Sequence, residues 1–385
     1  MNRKVRMGMV GGSTGGFIGV VHRMAAALDG EIELVSGAFS GDATRSKQTG
    51  ESLYLDESRV YSSFEEMIQK EKNLPEDLRM DFISVVTPNH LHFLPSKLAL
   101  ENGFHVLCEK PLAFSSDEAK KLEELVHKTG LIFGVTHNYT GYPMVKEAKE
   151  LVKSGKIGKI RKVIAEYPQG WLSSKIESEG QKQAAWRTDP KQAGISCCVG
   201  DIGTHAENLA EYITGLKIKE LSADINTFVE DRQLEDDATI LVRFENGAKG
   251  IIIASQIASG EENELKIRIY GETGGIEWLQ SNPNSLIVKM SDEPKNILRT
   301  GSGNKYLSKR ALAHIRLPGG HPEGYIESLA NIYRNFSLSI KTYLNGEKGD
   351  TSLYDFPTVS DGVRGMRFIE AVIESGKSNS KWIKL

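Results

Sequence analysis

Three groups of residues in this 385-residue chain have types and spacings that can do chemistry. Lys110 ends the stretch Val106-Leu107-Cys108-Glu109-Lys110 and is followed by Pro111. An ammonium at the end of a buried strand can hold an alcohol oxygen and stabilise the charge that develops as it becomes a carbonyl; most lysines merely face water. Asp201 and His205 stand four apart, so on a helix they project from one face. A histidine accepts protons near neutral pH, and a nearby carboxylate can orient it or bind the substrate. Gly203 between them makes a regular helix less comfortable but admits a close approach. Alone, such a pair equally reads as a helix staple; beside the lysine it reads as a proton-transfer site. No third ligand stands at a recognisable spacing, so no metal is expected. The third group is the turn Gly11-Gly12-Ser13-Thr14-Gly15-Gly16-Phe17-Ile18-Gly19, directly after an apolar strand.

Glycines there let the backbone approach a pyrophosphate, and a helix N-terminus offers free N–H groups and the positive end of its dipole. The strict G-x-G-x-x-G spacing is absent: Gly16 and Gly19 take the last two places, Thr14 takes the first, and Gly11 and Gly12 begin an expanded turn. Gly12, Ser13, Gly16, Phe17 and Ile18 are thus candidate cofactor contacts. Past the second strand, where an acid would select NAD through its ribose, the order is Ser40-Gly41-Asp42 with Arg45 and Lys47 behind it. Ser40 and Arg45 join the cofactor set. The displaced acid favours NAD, and the cations leave NADP open. A dinucleotide site followed by a proton-transfer site is the equipment for moving a hydride.

The chain is too long for one ordinary core, so two domains are expected. At 39% hydrophobic and 26% charged residues it has an ordinary globular composition. A net charge of -3 provides no basic field for nucleic acid. No apolar run approaches the ~20 residues that span a bilayer. The first residues lack the long apolar stretch of a signal peptide, so a cytoplasmic protein with no nucleic-acid or membrane partner is expected. The three cysteines, Cys108 and the neighbours Cys197 and Cys198, match no zinc pattern and read as buried thiols.

To position these residues, strands expected at 5–10, 32–39, 82–86, 104–108 and 132–135 alternate with helices at 19–28, 42–50, 63–71, 95–102 and 116–129. That alternation marks a doubly wound parallel α/β sheet of Rossmann type over residues 1–137. Seven strand-like stretches follow, at 160–167, 218–228, 237–244, 247–254, 264–270, 275–279 and 285–290, with a hairpin signal at Asn246-Gly247. Helical patterns return at 323–344 and 360–375. Residues 138–385 are therefore expected to form an α+β domain with a large, mostly antiparallel open sheet.

The glycine turn running into Gly19-Val20-Val21-His22, the stretch Thr87-Pro88-Asn89-His90-Leu91-His92, Glu109-Lys110-Pro111 and Asp201-x-Gly203-x-His205 resemble the Gfo/Idh/MocA family of glucose–fructose oxidoreductases and inositol dehydrogenases. The resemblance covers essentially the whole chain and is most specific at the lysine motif. It implies that Lys110, Asp201 and His205 are the catalytic set, with His205 the proton acceptor. It implies that Thr87, Pro88, Asn89, His92, Glu109 and Lys110 line the cofactor cleft. Ala185-Trp186-Arg187-Thr188-Asp189-Pro190 and Gly320-His321-Pro322-Glu323-Gly324-Tyr325 resemble segments of the levoglucosan and glucoside 3-dehydrogenase branch. That places Trp186 and Arg187 beside the cofactor, and Asn138, Arg187 and His321 with Lys110, Asp201 and His205 at the substrate. From its chemistry alone, Trp186 can stack on a sugar face or simply fill core. Ile195-Ser196-Cys197-Cys198 departs from the glycines usual in relatives and is expected to narrow the pocket.

The implied activity is NAD(P)-dependent oxidation of a secondary hydroxyl on a sugar or glycoside, at C3 in that branch, by a homodimer or homotetramer. The alternatives are an inositol or amino-sugar dehydrogenase of the same fold, and a dinucleotide sensor without turnover.

Overall fold

Short runs of apolar and β-branched residues form the five strands of the first sheet: β1 (Val5–Gly11), β2 (Ile32–Ala38), β3 (Phe82–Val86), β4 (His105–Cys108) and β5 (Phe133–Val135). The structure, a computed structural model, describes residues 3–347 and 354–385. All five strands are parallel in the order β2-β1-β3-β4-β5. β3 and β4 are buried along their whole length, as continuous apolar strands between two helical layers must be. The chain leaves β1 for β2 on one side and continues through β3 on the other. The order therefore switches between β1 and β3, and ligands of such sheets bind beyond the carboxyl ends at that point.

Helices α1 (Phe17–Leu28), α2 (Ala43–Ser52), α3 (Phe64–Lys72), α4 (Phe93–Glu101) and α5 (Ser116–Thr129) separate the strands. Several of their ends follow local capping rules. Ser63 and Ser115 accept from the Glu66 and Glu118 backbone N–H groups, and Gly130 closes α5 with φ 67°.

The chain divides into two units, Met1–Asn138 with Tyr325–Val363, and Tyr139–Gly324 with Arg364–Leu385. The second domain is thus not the unbroken 138–385 read from the sequence. The helix Tyr325–Leu344 belongs to the first unit, where Tyr333, Phe336 and Ile340 are buried in one cluster with Val21, Ala25, Met9 and Phe82. Phe82 and Phe336 meet edge to face at 5.2 Å.

The second unit holds a nine-stranded sheet, two strands more than the seven stretches recognised in the sequence. Its strands are β6 (Lys162–Pro168), β7 (Ile218–Asn226), β8 (Asp237–Phe244), β9 (Lys249–Ser255), β10 (Lys266–Tyr270), β11 (Gly274–Leu279), β12 (Ser285–Met290), β13 (Asn296–Arg299) and β14 (Ile383–Lys384). The order is β13-β12-β11-β10-β6-β9-β8-β7-β14, antiparallel except where β6 runs parallel to β9. Gly247, with φ 89°, turns β8 into β9 as expected. Helices Pro143–Lys153 and Thr204–Thr214 pack on one face of this sheet. The other face carries a cross-strand row of Leu241, Ile251, Ile164, Arg268, Glu277, Ile287 and Ile297, of which Leu241 and Ile297 are 45% and 53% exposed. Among the described residues, no helix is long and apolar enough to cross a membrane.

Candidate functional site

One group of candidate residues lies at the carboxyl edge of the parallel sheet. Gly11, Gly12 and Gly15 all adopt positive φ, which carries the backbone from β1 into α1 without side-chain clashes. Gly19 lies in the first turns of α1, and a Cβ there would sit 2.3 Å from the Gly12 Cα. That contact holds helix and turn at a spacing only two glycines allow. Gly16, the residue before α1, gives the helix no side-chain cap, and its first turn carries no acid. The free N–H groups and the dipole are therefore open to an anion, a surrounding that fits a dinucleotide pyrophosphate. Phe17 is largely exposed at the same end, with Ser13 and Ile18 half-buried around it.

Past β2, Asp42 spends one carboxylate oxygen on capping α2, accepting from the Thr44 and Arg45 backbone N–H groups. Lys47 is ion-paired with Glu57, so that cation already has a carboxylate, whereas Arg45 is exposed. Ser40 receives the Asp42 N–H at 3.2 Å.

Beyond β3, the segment Thr87 to His92 is fastened to the lysine motif by one ring. His92 lies with Nδ1 2.8 Å from the Pro111 carbonyl and Nε2 2.8 Å from the Thr87 carbonyl. It is buried, and burial pushes its pKa down against the pull of both carbonyls. Asn89 is buried beside it, while Pro88 and Thr87 remain partly accessible. Lys110, at the end of β4, is half-buried. Burial alone would raise the Glu109 carboxyl, yet hydrogen bonds from His22 and Thr136 and the charges of His22 and Lys110 hold it at about 2. Asn138 is buried just beyond β5, after His137, whose ring burial and the Lys110 charge push down to about 3.

A second group of candidate residues is carried by the second unit. Asp201 does not lie on a regular α-helix: Val199–Gly203 forms a wider π turn that runs into the helix Thr204–Thr214. Gly203 relieves crowding in that turn, since a Cβ there would lie 3.1 Å from Val199 Cγ1. Such turns often mark functional positions. Asp201 Oδ2 lies 3.0 Å from Arg187 Nε and accepts from Gln256 Nε2 at 2.9 Å. Arg187 in turn stacks over Trp186, its guanidinium carbon 4.3 Å from the ring centre, so Trp186 and Arg187 do gather at Asp201. His205 is buried, and the Tyr139 ring meets it edge to face at 4.8 Å. His321 is exposed, with Nδ1 3.3 Å from the Pro318 carbonyl, and no described contact brings it to Asp201 or His205.

The unusual segment Ile195 to Cys198 turns out to be wired beneath Asp201. The Cys197 thiol donates to Gln256 Oε1 at 3.4 Å, which orients the amide that donates to Asp201. Burial raises this thiol well above its usual range, so it remains a donor. Ser196 Oγ and the Val199 N–H donate to Glu235, a buried carboxylate whose pKa burial raises against those donors. Gln256, Glu235, Tyr139, His22 and Tyr333 were not legible as site residues, because each is recruited from a distant element. The three cysteines are all unpaired and buried.

Residues 5–137 match the family described as "Oxidoreductase family, NAD-binding Rossmann fold". Residues 145–277 match the "GFO/IDH/MocA C-terminal domain". The chain is 36% identical over 390 residues to the uncharacterized oxidoreductase YfiI of Bacillus subtilis (strain 168), a match covering 100% of this chain and 98% of that protein. It is 26% identical over 409 residues to levoglucosan dehydrogenase of Pseudarthrobacter phenanthrenivorans, covering 99% and 98% of the two chains. Among solved structures, an inositol dehydrogenase homolog from Azotobacter vinelandii complexed with NADH and myo-inositol has a TM-score of 0.92 at 33% identity, covering 100% of this chain and 98% of that one.

Proposed function

The chain belongs to the GFO/IDH/MocA family of oxidoreductases with an NAD-binding Rossmann fold, and on that premise we propose that it oxidises a secondary hydroxyl of a sugar, glycoside or cyclic polyol. The observation that carries this reading is the Arg187–Asp201 pair backed by Trp186, with Asp201 on the helical run that holds the buried His205. A planar aromatic group beside a charged donor–acceptor pair suits a ring bearing many hydroxyls.

NAD, when bound, supplies the hydride acceptor. The residues around Gly12, Ser13, Gly16, Phe17 and Ile18 receive its pyrophosphate, and Ser40 and Arg45 face its ribose. Thr87, Pro88, Asn89, His92, Glu109, Trp186 and Arg187 hold the rest of it. His205 takes the proton from the reacting hydroxyl, and the Lys110 ammonium steadies the charge on that oxygen as the carbonyl forms. Asp201, fixed by Arg187 and Gln256, orients the proton acceptor or a substrate hydroxyl. Asn138, Arg187 and His321 bind further hydroxyls, with C3 the carbon oxidised in a glycoside.

Incubation with NAD and a panel of glucosides, levoglucosan, free sugars and myo-inositol is expected to raise absorbance at 340 nm with at least one polyol. Binding of NAD without turnover on any of them would leave a dinucleotide sensor in this reading's place. In the same assay NAD should bind more tightly than NADP, because Asp42 follows β2 and Glu57 already engages Lys47. Tighter binding of NADP would show that Arg45 reads a phosphate.

We also propose that the protein is a homodimer or homotetramer joined through the exposed face of the second sheet, where Leu241, Ile251, Ile164, Ile287 and Ile297 are incompletely covered. Light scattering at micromolar concentration should give a mass of at least twice the chain; a monomer would refute this.

A further inference from the structure

A line of buried polar groups inside the first unit ends at Glu109, and its members come from five separate segments. Ser84 Oγ on β3 lies 2.7 Å from Tyr333 Oη on the helix Tyr325–Leu344. Tyr333 Oη lies 2.7 Å from His22 Nδ1 on α1, and His22 Nε2 lies 2.8 Å from Glu109 Oε1. Thr136 Oγ1 donates to the same Oε1 at 2.5 Å, while Glu109 Oε2 accepts the backbone N–H of Lys110 at 3.2 Å. Ser84 and His22 are fully buried and Tyr333 is 1% exposed.

The carboxylate sets the polarity of the bond it receives. Ionised, it can only accept, so the proton of the His22 ring that faces it must sit on Nε2. On the other side of the ring Nδ1 pairs with the Tyr333 hydroxyl, which pairs in turn with Ser84. Each buried polar group of the line thus has a partner, and the line ends on Glu109. The line stops at Ser84 in the middle of the sheet, so it offers no exit to water and does not carry protons away. Its remaining use is to hold. A buried carboxylate with fixed donors is rigid and stays charged, and this one also grips the backbone from which the Lys110 side chain departs.

We propose that His22 and Tyr333 are positioning residues for Lys110, acting through Glu109. This rests on the reading of Lys110 as the residue that stabilises the reacting oxygen. The packing explanation predicts only lost stability when the line is cut. The positioning role predicts a loss of kcat at unchanged NAD affinity that a hydrogen-bond donor at position 22 relieves. Glu109 is held at about 2 in the intact protein, below its usual 4.5. Its contribution is therefore present above about pH 4.5 and lost only as pH falls toward 2. In the pH range where the His205 ring can accept a proton Glu109 is ionised, so loss of the His22 donor is felt as a misplaced Lys110 rather than as a protonated Glu109.

The test compares His22→Gln, His22→Leu, Tyr333→Phe and Lys110→Ala on the polyol that turns over fastest, with NAD affinity and thermal stability measured alongside. Glutamine can still donate to Glu109 and should keep kcat within about threefold of the original. Leucine should lower kcat by about tenfold, about the effect of losing one hydrogen bond to a charged group. NAD affinity should be little changed. Tyr333→Phe, which keeps the ring and its packing, should lower kcat in the same sense by less. Original kcat in both His22→Leu and Tyr333→Phe, or a loss in His22→Leu that His22→Gln does not relieve, overturns the proposal whatever happens to stability. If Lys110→Ala is inactive while His22→Leu behaves as the original, this inference alone fails. If Lys110→Ala keeps its turnover, the reading of Lys110 fails with it.

Discussion

Lys110→Ala is expected to lower turnover by on the order of a hundredfold or more, the range for losing one donor to a developing charge. NAD affinity should stay near its original value. The ammonium acts on an oxygen whose charge grows only as the hydride leaves, so its loss is felt in kcat rather than in binding. The cofactor is held elsewhere, by the turn at Gly12 and the uncapped start of α1. His205→Ala should lose a similar factor, roughly a hundredfold or more, which is what a general base is commonly worth. The buried ring is packed by Tyr139 and Tyr167, so a fall in melting temperature should accompany the loss. His205→Asn, which retains polarity and much of the volume, separates the two effects: turnover should stay low while stability recovers. Stopped-flow or steady-state rates at 340 nm, with NAD titrated by fluorescence, give both quantities. Near-normal turnover in a folded Lys110→Ala protein would show that the lysine is not catalytic.

Gly19→Ala should produce the opposite signature, weak NAD binding with the catalytic groups intact. The new methyl would lie 2.3 Å from the Gly12 Cα and 3.0 Å from the Gly12 carbonyl carbon and oxygen. These are backbone atoms in the turn that receives the pyrophosphate, so no rotamer change relieves the clash. Overpacking of this kind costs about 1–3 kcal/mol. Taken wholly from binding, that corresponds to roughly 5- to 150-fold in affinity. Gly41→Ala is the control, because nothing lies within 4 Å of its Cβ and its φ is not positive. Unaltered NAD affinity in Gly19→Ala would mean that the helix and the turn are not held together by this contact when the dinucleotide binds.

The first sheet was legible because each of its strands is a short apolar run between helices with recognisable caps. Ser63, Ser115 and Gly130 do in the structure what their residue types imply. The return of the helix Tyr325–Leu344 to that sheet was not legible. Its spacing of Leu329, Tyr333, Phe336 and Ile340 tells which side is buried, but an apolar stripe does not name the surface that buries it. β13 and β14 escaped notice because they are four and two residues long, and β13 is mostly exposed at the sheet's edge. The π turn at Val199–Gly203 was invisible for another reason: over five residues, a period of 3.6 and a slightly longer one leave nearly the same pattern. At the site, Lys110, Asp201 and His205 drew attention through local motifs. Gln256 and Tyr333 did not, since a glutamine in a strand end and a tyrosine in an amphipathic helix have no chemistry until their neighbours are known.

The return of that helix also bears on how the protein is made. Tyr333 follows His22 by 311 residues. At the usual ~5–20 residues per second, the ribosome needs roughly 15 to 60 seconds to synthesise that interval. Until then the growing chain presents the surface of Met9, Val21, Ala25 and Phe82 without the helix that covers it. The dinucleotide-binding unit begins first and closes late, and a fragment ending at Asn138 leaves that apolar surface open to chaperones or to other copies of itself.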